Sequence, residues 1–98
     1  MKDAIAGLEP QLLWKHFYEI SQIPRCSREE EKVRDYIIQV AERNGLKYKM
    51  DDVGNIVVQQ PASPGLEDKP TIVFQGHLDM VCEKNKGTEH DFSKDPIK

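Results

Sequence analysis

The sequence predicts an α/β fold: two helices followed by a β-hairpin and a buried central strand of a mixed sheet. Three observations predict it. Apolar residues recur at helical spacing in two stretches, from Pro10 to Ser21 and from Ser27 to Gly45. Strict alternation then begins at Leu46, with turn residues ahead of a second strand at Ile56. Finally, Thr71-Ile72-Val73-Phe74 is apolar without alternation, the pattern of a strand covered on both faces.

Pro10 suits the first turn of a helix, where its missing amide costs nothing. Leu13, Phe17 and Ile20 form the stripe of that helix, with Leu12 and His16 flanking it, and Trp14 reads as packing. His16 reads as a partly buried helical histidine. Pro24 stops the helix and pushes Ile23 towards extended backbone. Ser27-Arg28-Glu29-Glu30 has the form of a capping box, in which Ser27 takes an amide of the first turn and Glu30 reaches back. Glu29, Glu30 and Glu31 suit the positive end of the helix dipole better than a catalytic carboxylate pair. Val33, Tyr36, Ile37, Val40 and Ala41 then make one apolar face, and Asn44-Gly45 closes the helix.

From Leu46 to Val53, Leu46, Tyr48 and Met50 alternate with Lys47, Lys49 and Asp51. Asp52-Val53-Gly54-Asn55 offers the turn, and Ile56 to Gln59 returns as the second strand. Pro61 to Pro70 is a surface loop with three prolines and a glycine. Thr71 to Gln75 is the buried strand, and no regular element is predicted after Asp79. That strand needs a further neighbour, so the chain is expected to be the front of a larger fold. An unpaired edge would favour self-association, making a homo-oligomer the expected state.

The chain has 98 residues, enough for one small domain, with 38% hydrophobic and 32% charged residues and a net charge of −3. No basic block marks a nucleic-acid partner. Nothing approaches the roughly 20 apolar residues of a membrane span, and the first ten residues lack a signal-peptide core. A cytoplasmic location is expected, and with it two free thiols at Cys26 and Cys82.

The chemistry concentrates at Gly76-His77-Leu78-Asp79, where the buried strand leaves the core. Residues two apart on a strand share a face. His77 is suited to ligate a divalent metal, and Asp79 either to bind the same metal or to fix the histidine ring. The plain alternative is a strand-capping histidine and a loop aspartate. Cys82 offers a soft zinc ligand, but a half-buried thiol explains it better. His90, Asp91 and Asp95 read as a solvated turn. There is no Gly-rich phosphate loop, no Gly-x-Ser-x-Gly and no complete Ser/His/Asp set. One ligand candidate with one carboxylate is not a whole metal-hydrolase site, which needs at least three ligands.

Thr71 to Asn85, TIVFQGHLDMVCEKN, with HDFSKDPI from His90, resembles the aminoacyl-histidine dipeptidases (Xaa-His dipeptidases) among the dinuclear-zinc metallopeptidases. The segments LEPQLLWKHFYEISQIPRCSREEEKVRDYI and DDVGNIVVQQPASPG resemble that family's opening helices and first hairpin. The resemblance implies that residues 1–98 are the N-terminal portion of a zinc-peptidase-like catalytic domain. It implies a dipeptide substrate and a site with two Zn2+ ions. His77 matches the histidine that ligates one metal, and Asp79 matches the aspartate that orients its ring. Cys82 falls where the family uses no ligand. The bridging aspartate, the paired glutamates and the other ligands would lie downstream of Lys98. The implied activity is zinc-dependent hydrolysis of Xaa-His dipeptides, with the 98 residues inactive alone. The alternatives are a non-catalytic binding or assembly module, or a related metallo-amidohydrolase with another substrate.

Overall fold

The structure, a computed structural model, describes residues 1–98. Three helices precede a two-stranded sheet: α1 (Lys2–Ile5), α2 (Gln11–Ser21), α3 (Glu31–Arg43), β1 (Lys47–Met50) and β2 (Ile56–Gln59). The α/β character therefore holds. The short α1 was not expected; it is one turn and buries nothing.

Helices α2 and α3 are joined by a polar relay. The Tyr36 hydroxyl donates to Glu19 Oε2 at 2.6 Å, and His16 Nδ1 lies 2.7 Å from the same hydroxyl oxygen. The single Tyr36 proton goes to Glu19, so His16 donates to Tyr36. Burial and the Glu19 carboxylate both push the Tyr36 hydroxyl far above its ordinary value. In return the Tyr36 bond holds Glu19 below the usual carboxylate value.

Helix α3 closes at Gly45, whose φ of 65° needs a residue without a Cβ penalty. The Leu46 amide then bonds back to the Ala41 carbonyl at 2.9 Å and launches β1. The two strands pair antiparallel, with Lys47 opposite Gln59 and Met50 opposite Ile56. Asp51 builds the turn: its Oδ1 accepts the Val53 and Asn55 amides at 3.0 and 2.8 Å. Gly54 lies at φ 92°, a conformation that favours glycine, and the Arg34 guanidinium from α3 rests 2.8 Å from where a Cβ would stand.

The expected start of α3 is corrected. The helix begins at Glu31 without a side-chain cap. Glu30 Oε1 instead accepts the Arg28 amide at 2.7 Å, and Arg28 sits at φ 70°. The capping box does not form: Glu30, not Ser27, stands at the cap position, and the left-handed Arg28 separates Ser27 from the helix.

The buried third strand is also corrected. Thr71 to Gln75 pairs with no strand, and Ile72, Val73 and Phe74 are 78, 80 and 95% exposed. An apolar run becomes a strand only where neighbours accept its backbone bonds, and the one sheet here ends at two strands. Leu13 and Phe17 of α2 are also exposed; the buried apolar residues are Val33 and Ala41, both on α3. The accessible surface is 8471 Å², against about 5,700 Å² for a closed globule of this mass. The radius of gyration is 16.3 Å, against about 12.6 Å for a compact domain of this length.

Candidate functional site

The connection between α2 and α3 carries the site. Cys26 forms a parallel bridge with Met80, and the Met80 amide donates to the Arg25 carbonyl at 2.9 Å. Arg25 Nη1 donates to the Leu78 carbonyl at 3.1 Å. A disulfide joins Cys26 to Cys82, whose Cα atoms are 5.6 Å apart. Three consecutive residues, Arg25 to Ser27, thus hold the chain from Leu78 to Cys82. The expectation of free thiols is corrected: it rested on compartment, whereas the bridge at Met80 brings the two cysteines within bonding distance. The disulfide also removes Cys82 from the candidate zinc ligands.

On that support stand His77 and Asp79. His77 Nδ1 lies 2.8 Å from Asp79 Oδ1 and 2.9 Å from the Asp79 carbonyl. Both oxygens only accept, so Nδ1 carries a proton and the neutral ring keeps its lone pair on Nε2. Asp79 is one-third exposed and His77 is 83% exposed, so the free edge of the ring faces solvent. The Ser27 hydroxyl donates to the other carboxylate oxygen, Asp79 Oδ2. The Ser27 bond, then the His77 contact, hold the Asp79 carboxyl below its ordinary value.

The pair expected from spacing is therefore in contact, in unpaired backbone rather than along a paired strand. Ser27 and Arg25 also belong to the site, and no local sequence signal marks either of them for it. Ser27 reaches Asp79 from 52 positions away, and its hydroxyl carried a competing local reading as a cap.

Elsewhere the acidic cluster is a turn. Asp91 Oδ1 accepts the Ser93 amide and hydroxyl at 2.9 and 2.6 Å, and Asp95 Oδ2 accepts the Asp91 amide at 2.8 Å. The His90 ring packs edge-on against Phe92. The turn is tied to the helices by the Ile97 amide, which donates to the buried Ser21 at its carbonyl, 3.0 Å away. No group of three or more His, Cys, Asp or Glu side chains is placed to hold a metal ion. No helix is long and apolar enough to cross a membrane.

No family model matches the chain. Over 93 residues it is 45% identical to the cytosol non-specific dipeptidase of Escherichia coli K12, a match covering 95% of this chain and 19% of that protein. Its fold superimposes on the crystal structure of aminoacylhistidine dipeptidase from Vibrio alginolyticus with a TM-score of 0.90 and 42% identity. Both relatives are dipeptidases. The likeness to these dipeptidases covers 96% of this chain and 19% of the solved one, so the chain spans about a fifth of the length of the enzymes it matches. At this identity and TM-score the three helices and two-stranded sheet match a fragment of a peptidase domain.

Proposed function

We propose that residues 1–98 form the N-terminal portion of the catalytic domain of a zinc-dependent dipeptidase and supply one corner of its active site. In this reading His77 ligates one of two zinc ions through Nε2, and Asp79 holds the ring. The observation that carries it is the His77–Asp79 contact, with Nδ1 held by a carboxylate at 2.8 Å and Nε2 free at an exposed edge. A metal-ligating histidine has this arrangement: the carboxylate fixes the tautomer and raises the basicity of the ligating nitrogen. Bound zinc would supply a Lewis acid and an activated water for amide hydrolysis.

One ligand does not hold zinc tightly, so the chain alone is inactive and the remaining ligands come from outside it. Cleavage of dipeptides with a C-terminal histidine is the narrower form of the proposal, supported by the name of the solved relative. A cytoplasmic location is supported by the name of the Escherichia coli one.

A second reading, a non-catalytic binding or assembly module, is favoured by the exposed Ile72, Val73 and Phe74. A chimera separates the two. This chain replaces the matching segment of the Escherichia coli dipeptidase, and hydrolysis of β-alanyl-histidine and unrelated dipeptides is followed with and without chelator. The catalytic reading expects chelator-sensitive cleavage that His77→Ala lowers by more than about 100-fold. Cleavage indifferent to His77→Ala would remove His77 from the site.

A further inference from the structure

We propose that Ser27 is the positioning residue of this site, acting on His77 through Asp79. The assignment of His77 as a ligand is the reading above, on which the functional meaning of this inference rests; the geometry does not depend on it. Asp79 offers two oxygens. Oδ1 receives His77 Nδ1, and Oδ2 receives the Ser27 hydroxyl. A carboxylate bonded through one oxygen turns easily about its terminal torsion, which has broad wells. A second bond to the other oxygen fixes its plane, and so fixes the direction in which Oδ1 meets the imidazole.

Ser27 can serve as that anchor because it is itself anchored. It follows Cys26, which is bridged to Met80 and bonded to Cys82, and Arg25 accepts the Met80 amide. Asp79 precedes Met80, so the residues next to both partners are paired backbone to backbone. The Ser27–Asp79 separation is thus set by main-chain pairing rather than by a free loop. Nor is the hydroxyl needed as a helix cap, since α3 starts at Glu31 with no side-chain cap. The sequence of effects runs from the paired backbone to Ser27, to the plane of Asp79, to the proton on His77 Nδ1, and to the lone pair on Nε2.

The test is the tautomer of His77, read from ring 15N shifts in the 98-residue chain above the histidine titration range. With Ser27 in place the Nδ1–H form predominates. Ser27→Ala lowers the ratio of Nδ1–H to Nε2–H by about three- to tenfold, the effect of one net hydrogen bond. Ser27→Thr keeps the hydroxyl and restores the ratio, which a merely structural role for Ser27 would not require. Backbone amide spectra of both variants check that the hairpin and α3 persist. An unchanged ratio in Ser27→Ala, an unrestored one in Ser27→Thr, or an Nε2–H majority in the unaltered chain would each overturn the proposal. A tautomer that follows Ser27 while the chimera ignores His77→Ala would leave the positioning role standing and remove the ligand role.

Discussion

Residues 11–59 hold both long helices and the sheet, whereas residues 60–98 hold no regular element. The first is built from short-range signals. A helix needs only its own backbone, and a hairpin needs only a turn such as the one Asp51 organises. The second part carries the stronger β sequence, Thr71 to Phe74, and leaves it exposed. Apolar composition does not make a strand; partners do. The second part makes local turns such as the one at Asp91, and it is held to the first at the Arg25–Ser27 connection and at Ser21.

The largest expected effect comes from cutting the covalent link between the two parts. Cys26 and Cys82 are separated by 56 positions. Closing a loop of that length limits the unfolded chain by about 4 kcal/mol in the chain-entropy account. Cys82→Ala should lower stability in urea by that order. An unchanged midpoint with and without reductant would show that the link contributes nothing.

Next in size is a contrast between one residue from each part. Val33 is 1% exposed and Phe74 is 95% exposed. Val33→Ala should cost about 2 kcal/mol, since it removes buried methyl groups and leaves a gap. Phe74→Ala should stay within about 0.5 kcal/mol although it deletes far more apolar volume. Phe74→Lys should reduce concentration-dependent sedimentation, because the exposed strip favours self-association. Equal losses of stability at the two sites would mean that Phe74 is covered in solution.

The smallest expected effect lies within the first part. Tyr36→Phe removes the relay between α2 and α3 and should cost about 1 kcal/mol. It should also change the acid limb of the stability curve. Glu19 is depressed in the folded state, chiefly by the Tyr36 bond. Its contribution is complete above the ordinary carboxylate value of 4.5 and is lost as pH falls through the lower folded value. Urea midpoints measured between neutral and acid pH should therefore fall less steeply for Tyr36→Phe than for the unaltered chain.

How far the sequence could be read follows the same division. The helix α2, the second strand from Ile56 to Gln59 and the role of Gly45 are readable, because each rests on neighbours a few positions away. The start of α3 differs because the chain turns at the left-handed Arg28, leaving Ser27 short of the helix and bonded to the distant Asp79. His77 and Asp79 could be paired from their spacing of two. The disulfide could not be foreseen, because nothing local brings Cys26 near Cys82; the parallel bridge to Met80 does. The strand at Thr71 was misjudged because its sequence specifies burial without specifying against what.

The Cys26–Cys82 bond also determines how the chain responds to a protease. The prolines and glycine from Pro61 to Pro70 form an exposed segment, and that segment lies inside the covalent ring. A single cut there opens the ring without releasing either end. The nicked chain would keep its full mass without reductant and part into two pieces with it, and the Ser27–Asp79 contact would stay tethered across the break.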